Sequence, residues 1–207
     1  MLPLLFILAA APAPAAAPSE DVEPALVFYF EAEGGKRVPV ELDKPFNPAE
    51  LGKSATLKLE PRRRFAYAGL QLDYPREWGF EADLDAQFAS WTISGNDAKV
   101  VVQRYRGQKK LDQLHKNVVA EMQKAYGGKA KETPSTLAAA GRTLEGTRLE
   151  VDLAGVPIVQ ELYPVKSGAD IVELIIQDAP KKSGEPSAER VKLEGLLKET
   201  LKLPAAK

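Results

Sequence analysis

The middle of the chain carries apolar residues at every second position, a spacing that is typical of β-strands with one buried side. The alternating residues are Leu70, Leu72 and Tyr74, then Ala89, Trp91 and Ile93, then the valines of 98–106. Pro75 ends the first of these strands, and residues 94–97 (Ser-Gly-Asn-Asp) have the composition of a turn. The pattern therefore predicts a set of consecutive antiparallel strands.

The spacing of apolar residues then changes from two to three or four, which predicts an amphipathic helix of about four turns. Its buried stripe is Leu111, Leu114, Val118, Met122 and Ala125. The glycine pair at 127–128 provides a C-terminal stop. Residues 129–140 are polar and then alanine-rich, and the sequence predicts a connector there.

Three further alternating segments, 142–153, 156–165 and 171–177, predict an antiparallel meander with one face in solvent. A final helix follows, with Ser187 as its N-cap. Its predicted buried stripe is Leu193, Leu196, Leu197, Thr200 and Leu201. Near the N-terminus, residues 26–30 and 37–42 flank a Gly-Gly turn and predict a hairpin, whose second strand is an edge strand because of Pro39.

The predicted fold class is α+β: a curved antiparallel sheet packed by two main helices and preceded by an N-terminal β-hairpin segment. The predicted organisation is a signal peptide at 1–17, cleaved near 15–17, and a linker at 18–24. A hairpin extension at 25–60 and an α+β domain at 65–203 follow. The leader is a short apolar run followed by Ala-x-Ala sites, although no Lys or Arg precedes the run. An uncleaved anchor or a disordered Ala/Pro tail is the alternative.

Composition excludes several classes of function. Among 207 residues, 28 are Lys or Arg and 29 are Asp or Glu, so the net charge of −1 provides no field for nucleic acid. The chain has no cysteine, which excludes disulfides, thiolate catalysis, cysteine metal sites and a lipobox. No segment after the leader is apolar enough to span a membrane. Together with the leader, these features predict a bacterial periplasmic or secreted protein.

Residues 69–78 form an alternating apolar strand followed by Tyr-Pro, two residues and Trp. This element resembles the opening signature of the PsbP-like fold family. The remaining order also resembles that family over residues 65–203: a strand pair, the helix, the Ala140-Gly141-Arg142 element, the meander and a closing helix. Read physically, Tyr74 and Trp78 flank a proline corner and are expected to seal the end of the core.

The PsbP-like family includes extrinsic subunits of photosystem II, a Ran-binding nuclear protein, envelope lipoproteins of the DcrB type and chaperones of type VI secretion effectors. The resemblance implies a binding or assembly module, because the family shares no catalytic residue set to carry over. This chain differs by lacking a lipobox cysteine and by adding residues 25–60 before the signature.

Four candidate sites are weighed from residue types. Gly52-Lys53-Ser54 lacks the first glycine of a phosphate loop, and we interpret it as a coincidence. His115, the only histidine, is expected at the boundary of a helix stripe rather than in a catalytic site. The carboxylates Glu81, Asp83 and Asp85 are interpreted as a solvated acidic loop, with a Ca²⁺ site as the alternative.

The densest charge run is Arg62, Arg63 and Arg64, which we interpret first as an edge-strand protection against aggregation. The sharper hypothesis is a docking spot for an acidic partner or a lipid headgroup. It is the only site predicted: no catalytic, cofactor-binding or metal-binding residue is expected, and no cofactor.

Three functions remain open. The first hypothesis is an exported, non-catalytic accessory or assembly protein that binds another protein of a cell-envelope complex. The alternative is a periplasmic carrier of a small molecule or lipid. The third is an unrecognised hydrolase built on His115 with Glu81, Asp83 and Asp85.

Overall fold

The computed structural model describes residues 19–40, 54–139 and 141–204. The predicted signal peptide, residues 41–53 and the Gly52-Lys53 pair lie outside the described residues. Within them, the strands are β1 Phe28–Ala32, β2 Arg37–Val40, β3 Ala55–Leu59, β4 Arg62–Phe65, β5 Leu72–Pro75, β6 Gly79–Leu84, β7 Phe88–Ser94, β8 Ala98–Tyr105, β9 Lys131–Ala139, β10 Arg142–Leu153, β11 Val156–Ser167 and β12 Asp170–Asp178. The helices are α1 Leu111–Ala125 and α2 Ala188–Thr200, with a short 3-10 helix at Glu33–Gly35.

The main sheet has seven strands in the order β6-β7-β8-β12-β11-β10-β9. Every neighbouring pair in it is antiparallel, and the predicted meander is its β10-β11-β12 part. The molecule is therefore α+β, with two helices on a large antiparallel sheet, which confirms the coarse prediction of fold class.

The central strand β12 is buried on both faces, so the prediction of one solvent face for the meander is wrong for this strand. Residues 171–176 of β12 are all buried, because α2 covers one side and α1 the other. The α2 side contains Trp91, Tyr163, Leu174 and the helix residues Leu193 and Leu197. On the α1 side, a smaller cluster joins α1 to β10, β11 and β12 through Val118, Val119, Leu149, Leu162 and Ile175.

Two segments read as loops from the sequence are strands. Residues 131–139 of the predicted connector form the edge strand β9, which pairs with β10 along its full length. The predicted acidic loop after Trp78 contains the opposite edge strand β6, in which Phe80 and Ala82 turn toward the core while Glu81 and Asp83 are exposed. Alternation of small or acidic residues is a weak strand signal, and pairing with a neighbour decides the outcome.

The predicted N-terminal hairpin is confirmed as β1 and β2, and β3 joins it to make a separate three-stranded sheet, β2-β1-β3. Pro39 lies on the edge strand β2, as its missing N–H requires. The strand of the Tyr-Pro-x-x-Trp element, β5, pairs with β4 outside the main sheet, and α2 packs on it. Tyr74 and Trp78 are both buried in the core, as expected.

The C-terminal end of α1 and the N-terminal end of α2 have the capping residues that the sequence predicts. Gly127 and Gly128 adopt positive φ angles of 62° and 71° after α1, the conformation that glycine allows most readily. The Ser187 side chain accepts a hydrogen bond from the Arg190 backbone N–H at 3.0 Å and so caps α2. Among the described residues, no helix is long and apolar enough to cross a bilayer.

The segment 19–23, part of the predicted linker, contacts the core. Glu20 accepts two hydrogen bonds from the Arg104 guanidinium, at 2.9 and 2.6 Å. Its backbone carbonyl accepts a further bond from Trp91 Nε1 at 2.6 Å. Tyr67 donates to the Val22 carbonyl at 2.8 Å. These contacts hold the start of the described chain against the aromatic part of the core.

Candidate functional site

The arginine triplet lies on β4, and acidic side chains of the same chain pair with each of its members. Arg64 makes two hydrogen bonds to Asp73, at 2.7 and 3.2 Å. Arg62 pairs with Asp73 and Glu199, both at 3.3 Å, and Arg63 pairs with Glu23. Because these carboxylates offset the positive charge, the triplet offers a weaker field than its sequence indicates. Its role in partner binding stays a prediction.

His115 lies on the inner side of α1 and joins the helix to two strands. Its Nδ1 atom is 2.8 Å from Glu173 Oε1 on β12, and its Nε2 atom is 2.9 Å from Thr147 Oγ1 on β10. The expectation of a boundary histidine is correct, since the side chain is mostly buried. Neither partner is predicted from the sequence. A single glutamate inside the apolar run Ile-Val-Glu-Leu-Ile-Ile was the available signal, because buried carboxylates are rare without a partner.

Glu173 is the most deeply buried of the three residues His115, Thr147 and Glu173. The residue is 0% exposed, and its Oε2 atom has no hydrogen-bond partner among the described residues. Burial raises the pKa of Glu173, while the hydrogen bond and charge of His115 act in the opposite direction. Tyr105, on β8, has a pKa raised to about 12 by burial and by the Glu173 charge. The hydroxyl of Tyr105 donates to Gln103 Oε1 at 2.9 Å.

Hydrogen bonds link the hydroxyl of Thr147, the imidazole of His115 and the carboxylate of Glu173 in the order found in hydrolytic triads. The surroundings of these groups differ from those of a hydrolase active site. Thr147 lies inside β10 with a strand paired on each side. A nucleophile usually occupies an exposed turn, where free backbone N–H groups can stabilise an oxyanion. These hydrogen bonds therefore attach α1 to strands β10 and β12 of the sheet.

A groove of about 380 Å³ runs beside His115 and Thr147.

The carboxylates grouped with His115 in the hydrolase hypothesis lie elsewhere. Glu81 and Asp83 are on edge strand β6, and β7 and β8 separate that strand from β12, which carries Glu173. Asp85 Oδ1 accepts the backbone N–H groups of Gln87 and Phe88, both at 2.7 Å, and so closes the β6–β7 turn. Within the described ranges, no group of three or more His, Asp or Glu side chains is placed to hold a metal ion.

The β10–β11 hairpin projects beyond the main sheet as an arm. Pairing of β9 with β10 ends at Glu150, and pairing of β12 with β11 ends at Val159. Residues 151–153 and 156–158 consequently pair only with each other. We call residues 151–158 the hairpin arm.

Apolar side chains are exposed at the tip of the hairpin arm. Leu153 is 44% exposed and Val156 is 51% exposed. Between them, Ala154 and Gly155 both have positive φ angles, 56° and 86°, as the two central residues of a type I′ turn must. Asp152 Oδ1 accepts the Gly155 N–H at 2.7 Å and closes the turn. The tip therefore presents two paired, half-exposed apolar side chains on a defined turn.

No protein-family model matches the chain, and the search of curated proteins found no match. A crystal structure of a protein from Bacteroides thetaiotaomicron VPI-5482 is similar, with 11% sequence identity and a TM-score of 0.42. The similarity covers 70% of this chain and 50% of the Bacteroides chain, so this chain spans half the length of that structure. Similarity at this level assigns neither a family nor a function.

Proposed function

We propose that the chain is an exported, non-catalytic accessory protein that binds another protein of a cell-envelope complex through the hairpin arm. The observation that carries this proposal is the exposure of Leu153 and Val156 at the tip of a hairpin that no other strand supports. Because each side chain is already about half buried, covering the rest in a partner contributes roughly half of the ~1.5–3 kcal/mol of a full burial, about 1 kcal/mol each.

The arm is built as a contact element rather than as a frayed strand end. Its three terminal rungs join Val151 to Ile158, Asp152 to Pro157 and Leu153 to Val156. Val151 is buried, so the base of the arm is anchored while the tip remains in solvent. A rigid protrusion loses little conformational entropy when it binds, which favours affinity for a partner with a matching apolar cleft.

The envelope location is supported by the leader pattern at 1–17. Membership of the PsbP-like family is part of the same proposal. The Tyr-Pro-x-x-Trp element supports this membership, because its Tyr74 and Trp78 side chains are buried in the core, as expected for residues that close one end of it. That family consists of binding and assembly modules.

The experiment is a site-specific crosslinking assay in envelope extract at near-native expression. A photoreactive residue at position 153 is expected to capture one defined protein, and the double variant Leu153→Glu/Val156→Glu is expected to lose that protein in a pull-down. The matched control is Val191→Glu, because Val191 is 59% exposed and belongs to α2, not to the arm. Circular dichroism checks that both variants fold.

Equal capture by the arm variant and the wild-type chain would remove the arm as the binding element. Loss of the same protein in Val191→Glu would show a general effect of added charge. An Arg64→Gln variant tests the arginine triplet separately, because the Arg64 side chain is 57% exposed despite its pairing with Asp73.

A further inference from the structure

Residues 19–23, which we call the strap, lie on the core without a helix or strand of their own. Within the described chain, the one backbone–backbone hydrogen bond of residues 19–26 is internal, from the Val22 N–H to the Ser19 carbonyl at 3.2 Å. Glu20 is partly buried, and the other four strap residues are exposed. Side chains of the core, and not a ladder of backbone hydrogen bonds, therefore hold the strap.

The residues that receive the strap are buried, in contrast to the strap itself. We call Arg63, Tyr67, Trp91 and Arg104 the strap site. Trp91 is 0% exposed, and the side chains of Arg63 and Arg104 are 14% and 12% exposed. Tyr67 stacks on Trp91 with 5.8 Å between the ring centroids, and the Arg104 guanidinium lies 5.3 Å from the Trp91 ring. Packing within the core therefore positions the groups of the strap site.

Two arginines of the strap site pair with carboxylates of the strap. Arg104 donates two hydrogen bonds to Glu20, at 2.9 and 2.6 Å, and Arg63 pairs with Glu23. Within the described residues, the strap supplies the only carboxylates that pair with these two guanidinium groups. A largely buried guanidinium without a counter-charge is strongly unfavourable. When the strap leaves, its site therefore favours another segment with two carboxylates three positions apart.

The other two residues of the strap site bind backbone carbonyls. Trp91 Nε1 donates to the Glu20 carbonyl at 2.6 Å, and the Tyr67 hydroxyl donates to the Val22 carbonyl at 2.8 Å. Every peptide carries such carbonyls, so these two bonds fit an extended chain of any sequence. The arginines then supply the selectivity for acidic side chains.

We infer that the strap site binds an extended acidic segment of a partner protein, and that the strap occupies this site in cis as a competitor. The strap can leave without breaking a strand pair, because its contacts with the core are made by side chains. A tethered competitor acts at a high effective concentration, so only a segment that binds more tightly or is abundant displaces it.

This inference gives one member of the arginine triplet a defined partner chemistry, since Arg63 belongs to both the triplet and the strap site. It does not depend on the contact proposed for the hairpin arm. The arm belongs to β10 and β11, whereas Trp91 and Arg104 are on β7 and β8, and β12 lies between β8 and β11 in the sheet.

The first experiment measures opening of the strap in the unmodified chain by hydrogen exchange. The Trp91 indole N–H has the Glu20 carbonyl as its acceptor, so it loses its bond whenever the strap opens. Its protection factor should be at least about 100-fold lower than those of the Val100 and Val102 amides in the interior strand β8. Protection equal to that of β8 would show that the strap does not open and would overturn the inference.

The second experiment presents the strap sequence in trans. The full chain carrying Glu20→Gln and Glu23→Gln is titrated with a blocked peptide of residues 19–24, and NMR follows the Trp91 indole N–H. The matched probe is the same peptide with glutamine at both glutamate positions. We expect saturable binding of the acidic peptide, at least about tenfold tighter than that of the matched probe. Equal binding of the two peptides, or no saturable binding, would overturn the inference.

A further variant locates the peptide. Arg104→Gln, added to the double variant, should weaken binding of the acidic peptide at least about tenfold, because it removes the guanidinium that meets the first glutamate. Arg142→Gln, the same change at an exposed position of β10, is the control and should leave binding unchanged. Undiminished binding by the Arg104→Gln variant would contradict the assignment of the site.

The wild-type chain keeps the inference testable if the double variant does not fold. Acidic peptide added above the ~mM effective concentration of a short tether should displace the strap. The amide signals of residues 19–23 should then move to the positions of a disordered chain, while the matched glutamine peptide leaves them in place. Strap signals that do not move with the acidic peptide would count against binding in trans.

Discussion

The buried Glu173 carboxyl is expected to make the stability of this protein depend on pH. Its side chain is held between α1 and the sheet by the 2.8 Å contact with His115, and burial raises its pKa above the ordinary 4.5. The folded chain therefore holds this proton more tightly than the unfolded chain does. The resulting stability is fully present below pH 4.5 and is lost as the pH rises through the raised pKa of Glu173.

The magnitude follows from proton linkage. Between the ordinary and the raised pKa, the folded state binds up to one more proton than the unfolded state, so stability falls by at most about 1.4 kcal/mol per pH unit. Glu173→Gln removes this proton and keeps an oxygen that can accept from His115 Nδ1–H. The free energy of unfolding of the variant minus that of the wild-type chain should therefore grow with pH and then level off.

The assay is urea unfolding followed by circular dichroism from about pH 4 to about pH 8. Glu121→Gln, on the exposed side of α1, is the control and should follow the wild-type curve. A second variant, His115→Gln, removes a group that lowers the pKa of Glu173, so the falling part of the curve should extend to higher pH. A Glu173→Gln difference that stays constant across this range would refute the reasoning, as would a His115→Gln curve that falls at lower pH.

Three further predictions concern stability. Gly146→Ala would place a Cβ atom 2.1 Å from the Leu162 carbonyl oxygen. The urea midpoint should therefore fall by the equivalent of about 1–3 kcal/mol. An unchanged midpoint would contradict the close approach of β10 and β11 at this position. Ala154→Asn should stabilise the chain by about 1 kcal/mol in thermal unfolding, because Asn tolerates the φ of 56° better than Ala; a lower melting temperature would be inconsistent with a strained turn. Glu20→Gln should weaken the pairing with Arg104 and speed hydrogen exchange in residues 19–23. Exchange as slow as in the wild-type chain would show that other contacts hold the segment.

A helix or strand was predictable from the sequence where its own residues show the spacing of apolar positions or the capping residue that defines it. The alternation of 142–153, 156–165 and 171–177 predicted the strands of the meander, and the structure confirms their antiparallel pairing. The stripe through Val118 predicted α1, and Ser187 predicted the start of α2. Patterns of this kind depend on neighbours along the chain, so no tertiary information is needed.

Pairing with a neighbouring strand, β7 for β6 and β10 for β9, makes these two segments strands. Residues 131–139 contain Pro134 and short side chains, so their intrinsic preference for a strand is weak, and the hydrogen bonds of β10 provide the rest. The burial of both faces of β12 was also decided by packing. Alternation in a sequence shows which residues share a face, whereas the placement of a helix on that face depends on elements far away in the chain.

Each site identified in the structure joins residues that are distant in sequence. Glu173 lies 58 positions from His115, and Thr147 lies 32 positions from it. Glu20 lies 84 positions from Arg104, and the two meet only because the start of the described chain returns to strand β8. The amino-acid sequence by itself determined the elements with a strong pattern of their own, such as α1 and the meander strands, together with the charge balance and the absence of thiol chemistry. The tertiary structure decided which polar groups are buried without a partner, because that depends on which side chains the fold brings together.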